Sequence, residues 1–343
     1  MRCQNKDSTS TKGIAEHLID KRIAKPLYEE IFKKSGDESV RMILDVINNK
    51  EIDTDFLLGE KYAGSSNVQI FKMKDKFGKE LNSLFRMIKI KNNITEEYEL
   101  NGMKIQMDLF GGEFINKIYQ YGYYTIRNPE VEPINCKKCT EINLYNIIEP
   151  CYGGDFLDIY NDYGDYYFKY PVIFYNFTIN LLKGLNYIHS KNYVHMDIKP
   201  ENIGLKEKIN IRKIETFYNL RILDFGLSLK FGEYGPRGSP FYAAPEIQFN
   251  SNPKFNKPLY GKSDVFSVGR IIYLLIFGIK NTSPVKNKNE DYKIYLDQMP
   301  EYLKKDSVNF GNFIKGLTNY NVQERFTASQ ALNHPFLRES GYL

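Results

Sequence analysis

Residues 193–205 read YVHMDIKPENIGL, a strand-like pair, a polar loop and a second strand-like run. The loop carries Asp197, Lys199 and Asn202 at positions i, i+2 and i+5. A carboxylate, an ammonium group and a carboxamide at those offsets can accept a hydroxyl proton, neutralise a phosphoryl oxygen and bind Mg²⁺ from one short piece of backbone. This stretch therefore indicates phosphoryl-transfer chemistry.

A second polar group follows an apolar strand further along the chain. Residues 220–223 are predicted to form that strand, which leads into DFG at 224–226. A carboxylate at a strand end beside a flexible glycine is a hard oxygen ligand. Together with the Asn202 carboxamide, Asp224 suits Mg²⁺.

These segments belong to an ordered series of motifs. The series is HMDIKPEN at 195–202, DFG at 224–226, APE at 244–246, SDVFSVG at 263–269 and finally Arg325. In this order the sequence resembles the eukaryotic-type protein kinase family, over residues 56–337. The resemblance implies an α+β, bilobal protein-kinase-like fold, with a small antiparallel-sheet N-lobe that has one helix and a larger, mainly helical C-lobe.

The resemblance also implies roles for the motif residues. Asp197 would be the base that orients the acceptor hydroxyl, and Lys199 would contact the γ-phosphate. Asn202 and Asp224 would hold Mg²⁺, with ATP as the phosphoryl donor. Glu246 would pair with Arg325. Taken singly, each of these is an ordinary loop or surface residue, and their joint order favours the functional interpretation.

The phosphate-binding lysine is predicted at Lys89, in the run FRMIKI at 85–90. It looks like the strand lysine of the family, which binds the α- and β-phosphates. The alternative is a solvated strand lysine. Its helix partner is predicted to be Glu99, because residues 100 and 103 then fall on the inner face of the helix. Two neighbours remain open as partners, Glu96 and Glu97.

The glycine-rich loop is incomplete. Gly59 and Gly64 match the first and third glycines of G-x-G-x-x-G, and Lys61 takes the place of the second. Backbone N–H groups can bind phosphate without the middle glycine. The register stays open, and a simple β-turn is the alternative.

Residues 147–156, IIEPCYGGDF, look like the hinge between the family's two lobes. The resemblance implies that Ile148 lies behind the adenine and that the Glu149 carbonyl and the Cys151 backbone bind the purine. Asp155, at the start of the next helix, would meet the ribose.

Periodicity divides the chain into three parts. Residues 1–52 carry apolar residues at helical spacing and are predicted to form a helical N-terminal extension, which either binds a regulatory partner or packs on the main domain. Residues 53–148 are the predicted N-lobe and 149–343 the predicted C-lobe, with 53–338 as one kinase domain. Helices are predicted at residues 94–109, 174–190, 265–279 and 309–318.

Composition narrows the compartment and the partners. The 343 residues are 42% hydrophobic and carry a net charge of +5, which predicts a globule and no nucleic-acid or membrane partner. The apolar run at 271–279 is about half of the ~20 residues that a membrane span needs. Four cysteines and no signal peptide indicate a reducing, intracellular, cytoplasmic setting, with the nucleus left open. Cys136 and Cys139 lack the further ligands that zinc requires.

Two further residues bear on specificity and regulation. Lys199 and Ser239 resemble the serine/threonine form of the family, although dual specificity stays open. Met196 stands where many kinases have an arginine that binds a phosphate on the activation segment, residues 226–246. The prediction is a serine/threonine protein kinase whose segment is ordered without that phosphate. The rivals are a pseudokinase scaffold and a kinase of small molecules.

Overall fold

The computed structural model describes residues 44–46, 50–52, 56–75, 77–90, 93–125, 142–163, 168, 170–208, 219–233, 238–248, 261–278 and 296–343. The chain divides into two compact units. The first comprises residues 1–97 and 117–150, and the second comprises residues 98–116 and 151–343. The predicted boundary between residues 148 and 149 lies two residues before the second unit resumes. Cys136 and Cys139 lie outside the described residues.

The first unit is built on a five-stranded antiparallel sheet with the strand order β3-β4-β5-β7-β6. Its strands are β3 (Phe56–Gly64), β4 (Val68–Asp75), β5 (Glu80–Ile88), β6 (Ile118–Thr125) and β7 (Ile142–Ile148). One helix, α1 (Asn93–Asp108), follows β5, and its part from residue 98 onwards belongs to the second unit. The small antiparallel sheet is the one that the sequence predicts.

The hairpin between β4 and β5 turns at residues 75–79. The Asp75 carboxylate accepts hydrogen bonds from the backbone N–H groups of Phe77 and Lys79, both at 2.9 Å. Gly78 has φ = +81°, a left-handed conformation that glycine adopts without steric cost. The turn sets the register of the two strands, and the apolar face they share packs into a small core. This core comprises Met73, Phe85, Met87, Tyr145 and Ile147.

Two short strands precede the sheet, β1 (Leu44–Val46) and β2 (Lys50–Ile52), and they pair antiparallel. The predicted helix is therefore wrong at these residues. Asn48 and Asn49 stand between the paired segments in the sequence, and asparagine favours turns over helix interiors. The rest of the predicted helical extension, residues 1–43 and 47–49, lies outside the described residues.

The second unit is mainly helical, as predicted. Its helices are α2 (Phe156–Tyr163), α3 (Pro171–Ser190), α4 (Pro245–Gln248), α5 (Lys262–Phe277), α6 (Glu301–Lys304), α7 (Ser307–Leu317), α8 (Ala328–Leu332) and α9 (Pro335–Arg338), with 3-10 turns at Pro200–Asn202 and Leu296–Gln298. Two small antiparallel ribbons join β8 (Tyr193–Val194) to β11 (Leu229–Lys230) and β9 (Ile203–Leu205) to β10 (Leu220–Ile222). The ribbons carry the polar loops onto the helical core.

Helices α3 and α5 form the centre of that core. Every residue of α5 from Ser263 to Phe277 is buried, as is most of α3. Gly184 of α3 lets the helix approach the β10 ribbon, because a Cβ there would lie 2.8 Å from the Ile222 side chain. In the described part of the chain, no helix combines the length and apolarity that crossing a bilayer requires.

An enclosed ion pair joins α4 to the C-terminal region, as the sequence predicts. The Arg325 guanidinium is fully buried and donates to both Glu246 oxygens, at 2.6 and 2.9 Å. It also donates to the carbonyls of Asn319 at 2.7 Å and Lys262 at 3.0 Å, and it lies over the Phe266 ring. A planar, bidentate arrangement of this kind is specific to arginine.

Replacing Arg325 with alanine is expected to lower the free energy of unfolding by about 3–5 kcal/mol, because Glu246 and two carbonyls lose their donor. Arg338, which is exposed at the end of α9, is the matched control. Denaturant titrations of Arg325→Ala and Arg338→Ala measure the difference. Equal midpoints with equal slopes would show that the pair does not brace the fold.

Candidate active site

The buried carboxylate of Asp264, 1% exposed in α5, anchors the loop that follows β8. It accepts hydrogen bonds from the backbone N–H groups of His195 at 2.8 Å and Met196 at 2.9 Å, and its Oδ2 lies 2.9 Å from the His189 Nε2. Met196 has φ = +72°, which is unfavourable for a non-glycine residue. The hydrogen bonds to Asp264 hold this conformation and so determine where the next residue, Asp197, points.

The His195 ring links this loop to the strand that precedes Asp224. Its Nδ1 accepts a hydrogen bond from the Asp197 N–H at 3.3 Å, and its Nε2 lies 2.8 Å from the Leu223 carbonyl. One nitrogen therefore accepts and the other donates, an arrangement that a neutral imidazole satisfies. The ring also contacts Phe225 edge-on, with centroids 4.8 Å apart.

The carboxylate of Asp197 lies at the centre of the predicted site. Oδ2 is 2.7 Å from the Lys199 ammonium and 3.1 Å from the Asn202 amide nitrogen. Oδ1 accepts from the Ser239 hydroxyl at 2.8 Å and from the Ser239 N–H at 3.0 Å. The structure therefore brings together three residues predicted from one loop with a fourth that lies 42 positions away in sequence.

These partners keep Asp197 ionised. Burial alone would raise the pKa of Asp197, but the hydrogen bonds from Lys199 and Ser239 and the charge of Lys199 outweigh it and hold the pKa below its ordinary value. Because the folded-state pKa is lowered, ionisation stabilises the folded state above the unfolded-state pKa, and this stabilisation is lost as the pH falls through the folded-state pKa. At neutral pH the group is a carboxylate and can accept a proton.

Asn202 and Asp224 lie at the same end of the antiparallel β9–β10 ribbon. Asn202 immediately precedes β9, and its carbonyl accepts a hydrogen bond from the Leu223 N–H at 2.9 Å, one residue before Asp224. The Asn202 amide nitrogen is committed to Asp197, so its oxygen is the atom that it can offer a cation. Asp224 is exposed, with φ = +55° and the Gly226 N–H 3.3 Å from its Oδ1.

This donor set fits Mg²⁺ held with substrate phosphates. Mg²⁺ takes hard oxygen ligands, and proteins usually supply only one or two of them, the rest coming from water and phosphate. Among the described residues, no cluster of three or more histidine, cysteine, aspartate or glutamate side chains forms a self-sufficient metal site. One carboxylate with one carboxamide therefore suits a cation that arrives with a nucleotide.

The predicted hinge residues fall in both units. In the first, Glu149 is buried and its N–H donates to the Lys117 carbonyl at 2.8 Å. In the second, the Cys151 carbonyl accepts from the Gly154 N–H at 3.1 Å, and its sulfur lies 3.6 Å from the Asn116 amide nitrogen. The Cys151 carbonyl is thus engaged in a turn within the second unit.

Asp155 begins α2, as predicted. Its Oδ1 accepts hydrogen bonds from the N–H groups of Leu157 at 2.9 Å and Asp158 at 3.0 Å, so it caps the helix. Burial raises the pKa of Asp155 above its ordinary value, although these hydrogen bonds oppose the shift. One carboxylate oxygen is used by the cap, and Oδ2 is the oxygen that a ribose hydroxyl would meet.

The glycine-rich stretch, whose register the sequence leaves open, forms part of the β3–β4 hairpin. Lys61 pairs with Phe71 inside the β3–β4 ladder and does not lie at the turn. The chain reverses at residues 65–67, where the Ser65 hydroxyl accepts hydrogen bonds from two backbone N–H groups. Gly64 opens this reversal with φ = +144°, and a Cβ there would collide with the Val68 carbonyl. That close approach places the turn after Gly64.

Gly59 also lies within β3 and not in a loop. It is next to an irregularity in the pairing of β3 with β4, and a Cβ there would lie 3.2 Å from the Lys72 carbonyl. The sequence predicts Lys89 within a strand, but in the structure it follows directly after the end of β5, and its side chain is exposed. Its N–H donates to the Asn67 carbonyl at 2.8 Å.

The predicted glutamates lie in the first turns of α1. Leu100 and Met103 are buried, as expected for a helix whose inner face they share with Glu99. Glu99 and Glu96 are half-buried, and Glu97 is exposed. The pairing of Lys89 with Glu99 stays a prediction.

Sequence analysis missed several residues that shape the site. Asp264 stands in the recognised SDVFSVG motif, but the motif does not say which backbone groups the carboxylate binds. His189 and Arg270 appear in the sequence only as polar residues at the end and in the middle of helical runs. A charged residue inside a long apolar stretch, such as Arg270, is the one available signal of a buried polar contact.

The chain matches the family described as "Protein kinase domain" over residues 131–337. It belongs to that family. The matched span includes Asp197, Lys199, Asn202 and Asp224 together with the hinge, whereas the glycine-rich loop and Lys89 precede it. The predicted bilobal kinase fold is confirmed.

Curated relatives are serine/threonine or myosin kinases by name. The chain is 28% identical to serine/threonine-protein kinase DCLK1 of Rattus norvegicus over 63% of its own length and 48% of that protein. It is 32% identical to probable serine/threonine-protein kinase fhkC of Dictyostelium discoideum, over 57% of this chain and 32% of that one. Myosin light chain kinase A of Dictyostelium discoideum is 27% identical, over 73% of this chain and 77% of that protein. The chain therefore spans half or less of the length of most of these relatives.

Asp197→Ala and Asp224→Asn are expected to act on different steps. Asp197→Ala removes a proton acceptor and should leave Mg-ATP affinity unchanged, whereas Asp224→Asn removes a metal ligand and should weaken Mg-ATP binding by about tenfold or more, or some 1.4 kcal/mol. Calorimetry on both variants measures this, with the exposed Asp297→Asn as control. Equal Mg-ATP affinity for Asp224→Asn and the control would remove Asp224 from the metal site.

Proposed function

We propose that this protein is a serine/threonine protein kinase that transfers the γ-phosphoryl group of Mg-ATP to serine or threonine hydroxyls of other proteins. One observation carries the proposal. The Asp197 carboxylate accepts a hydroxyl hydrogen bond from Ser239 at 2.8 Å, while the Lys199 ammonium lies 2.7 Å from the same carboxylate and 3.1 Å from that hydroxyl. A hydroxyl, its base and a cation for phosphate are thus within reach of one another.

The residues of this loop divide the work of the reaction. Asp197 accepts the proton of the acceptor hydroxyl and orients its oxygen towards the phosphorus. Lys199 neutralises charge on the transferred group, and its contact with Asp197 keeps the base ionised. Asn202 and Asp224 would hold Mg²⁺, which supplies electrostatic stabilisation of the phosphoryl oxygens. Positioning and charge stabilisation account for most of the rate in this chemistry.

The nucleotide site rests on the resemblance and on local geometry. The Glu149 carbonyl and the Cys151 N–H would bind the purine, and Asp155 would bind the ribose. Backbone N–H groups of the turn that Gly64 opens would lie over the phosphates, with Gly59 at the base of the hairpin. Lys89 would contact the α- and β-phosphates, braced by Glu99.

Serine/threonine specificity is supported by two observations. Relatives that are 28% and 32% identical to this chain are named as serine/threonine-protein kinases. Ser239 presents its hydroxyl to the base, and Lys199 follows that base by two residues. A compact acceptor hydroxyl close to the backbone suits this arrangement better than a phenol at the end of a ring.

A pseudokinase scaffold is the second candidate. Lys61 in place of a glycine and Met196 in place of arginine favour it, since both depart from the family's usual pattern. Against it, every proton-transfer and metal-binding position holds the residue type that the reaction needs. The two candidates differ in one measurable property, which is turnover.

Incubation with labelled ATP, Mg²⁺ and a generic basic protein is expected to label serine and threonine in that protein. Asp197→Ala should reduce the rate by about 10²- to 10⁴-fold, because general base catalysis contributes that much. Phosphoamino-acid analysis of the product measures the specificity. If the wild type labels the acceptor no faster than Asp197→Ala does, the scaffold is supported. Phosphotyrosine as the main product would contradict serine/threonine specificity.

A further inference from the structure

We call residues 238–243 the docking segment, because its Ser239 presents a hydroxyl to Asp197, the proposed base. Side chains hold the main chain of its residues 240–243. Four consecutive carbonyls accept side-chain hydrogen bonds. They are Pro240 O from Gln248 Nε2 at 2.6 Å, Phe241 O from Arg270 Nε at 2.9 Å, Tyr242 O from Ser267 Oγ at 2.9 Å and Ala243 O from Gln248 Nε2 at 2.6 Å. Most protein hydrogen bonds join backbone groups to one another, so four consecutive loop carbonyls that all accept from side chains are unusual. These side chains fix the course of the main chain.

The N-terminal end of the segment contacts residues 195–202, which we call the catalytic loop because they carry Asp197, Lys199 and Asn202. Both the N–H and the hydroxyl of Ser239 donate to Asp197, and Gly238 lies so close to the Met196 carbonyl that a Cβ would collide with it. The Met196 side chain is buried in an apolar cluster that includes Ala243 and Phe266. Met196 therefore supports the segment by apolar packing. An arginine at this position would instead act by binding a phosphate on the activation segment.

Arg270 is the one charged side chain among the three that hold the docking segment. It is 3% exposed and lies in α5 ahead of a run of apolar residues. Burying a guanidinium is unfavourable unless its donors are hydrogen-bonded, and one of those donors is spent on the Phe241 carbonyl. The Phe241 side chain, by contrast, is 41% exposed. The main chain is thus held from the helix beneath while the side chain faces outwards.

Together these contacts make the shape of the docking segment a property of the fold. In kinases that are switched on by phosphorylation, charge-assisted hydrogen bonds between a phosphate and an arginine order the segment. Here the order comes from α4 and α5, which are already in place once the domain has folded. The contacts of residues 238–243 involve no group that must be added after synthesis.

We propose that Arg270 is a positioning residue for the acceptor protein, and that with Gln248 and Ser267 it keeps the docking segment ready to bind that protein without a phosphate on the activation segment. The inference rests on the proposed function. It assigns Arg270 an effect on acceptor binding and none on nucleotide binding, since the guanidinium contacts the segment that follows Ser239.

The test compares Arg270→Met and Arg270→Lys with Arg338→Met, an exposed arginine changed in the same way. Steady-state kinetics give KM separately for the acceptor protein and for ATP. Arg270→Met is expected to raise the acceptor KM by about 10- to 100-fold, the loss of one hydrogen bond to a charged group. The KM for ATP should stay at the wild-type value, and Arg270→Lys, which keeps a cationic donor, should recover much of the acceptor binding.

Ser267→Ala provides a second variant that changes little volume, for use if Arg270→Met fails to fold. It should raise the acceptor KM by about five- to tenfold, the value of one neutral hydrogen bond. An unchanged acceptor KM in every folded variant, or an equal rise in both KM values, would overturn the inference while the wild type remains an active kinase. Wild-type protein without any phosphotransfer would overturn the proposed function and this inference with it.

Phosphorylation is tested directly on the wild type. Protein treated with phosphatase, and shown by mass spectrometry to be unphosphorylated at residues 226–246, is expected to have the same initial rate at saturating Mg-ATP as untreated protein. A loss of more than about tenfold, equivalent to some 1.4 kcal/mol in the barrier, would show that a phosphate is needed after all.

Discussion

The catalytic loop depends on one buried carboxylate. Asp264 accepts two consecutive backbone N–H groups and so holds Met196 in a left-handed conformation that its side chain disfavours. Such strain costs about 1–3 kcal/mol and persists only where the surroundings impose it. Because Asp264 lies in the buried part of α5, residues 263–277, the position of Asp197 is tied to the core of the second unit.

From that anchor the site is assembled through short links. The His195 ring connects the loop to the strand before Asp224, and the Asn202 amide spans the loop to the Asp197 carboxylate. The same helix, α5, also supplies two of the side chains that hold the docking segment, Arg270 and Ser267, and Gln248 of α4 supplies the third. One helix therefore positions Asp197, the proposed base, and contributes to holding the segment that we propose binds the acceptor. The Glu246–Arg325 ion pair holds α4, the helix that follows that segment.

Asp197, Lys199 and Asn202 lie together as their short spacing predicts, because the chemistry requires particular side chains close to one another, and their roles in the reaction stay predictions. Long helices are predicted equally well, since apolar periodicity over 174–190 and 265–279 is strong. The sequence leaves the register of the glycine-rich loop open because glycine spacing alone does not decide which residues reverse a hairpin, and the structure places that turn at residues 65–67. The strand at 44–46 was misassigned because a short apolar run fits both periods. Contacts such as Arg270 with the Phe241 carbonyl depend on tertiary structure, and no local pattern encodes them.

The most direct measurement of the account is the turnover number of Asp264→Asn, with the exposed Asp297→Asn as control. The amide keeps one acceptor oxygen but presents an NH₂ group to the second backbone N–H, so the loop should lose its imposed conformation. A fall of about tenfold or more in kcat is expected, since a lost hydrogen bond to a charged group costs about 1.5–3 kcal/mol. Circular dichroism checks that the variant is folded. A folded Asp264→Asn protein with the turnover of the control would contradict the claim that this carboxylate holds the catalytic loop.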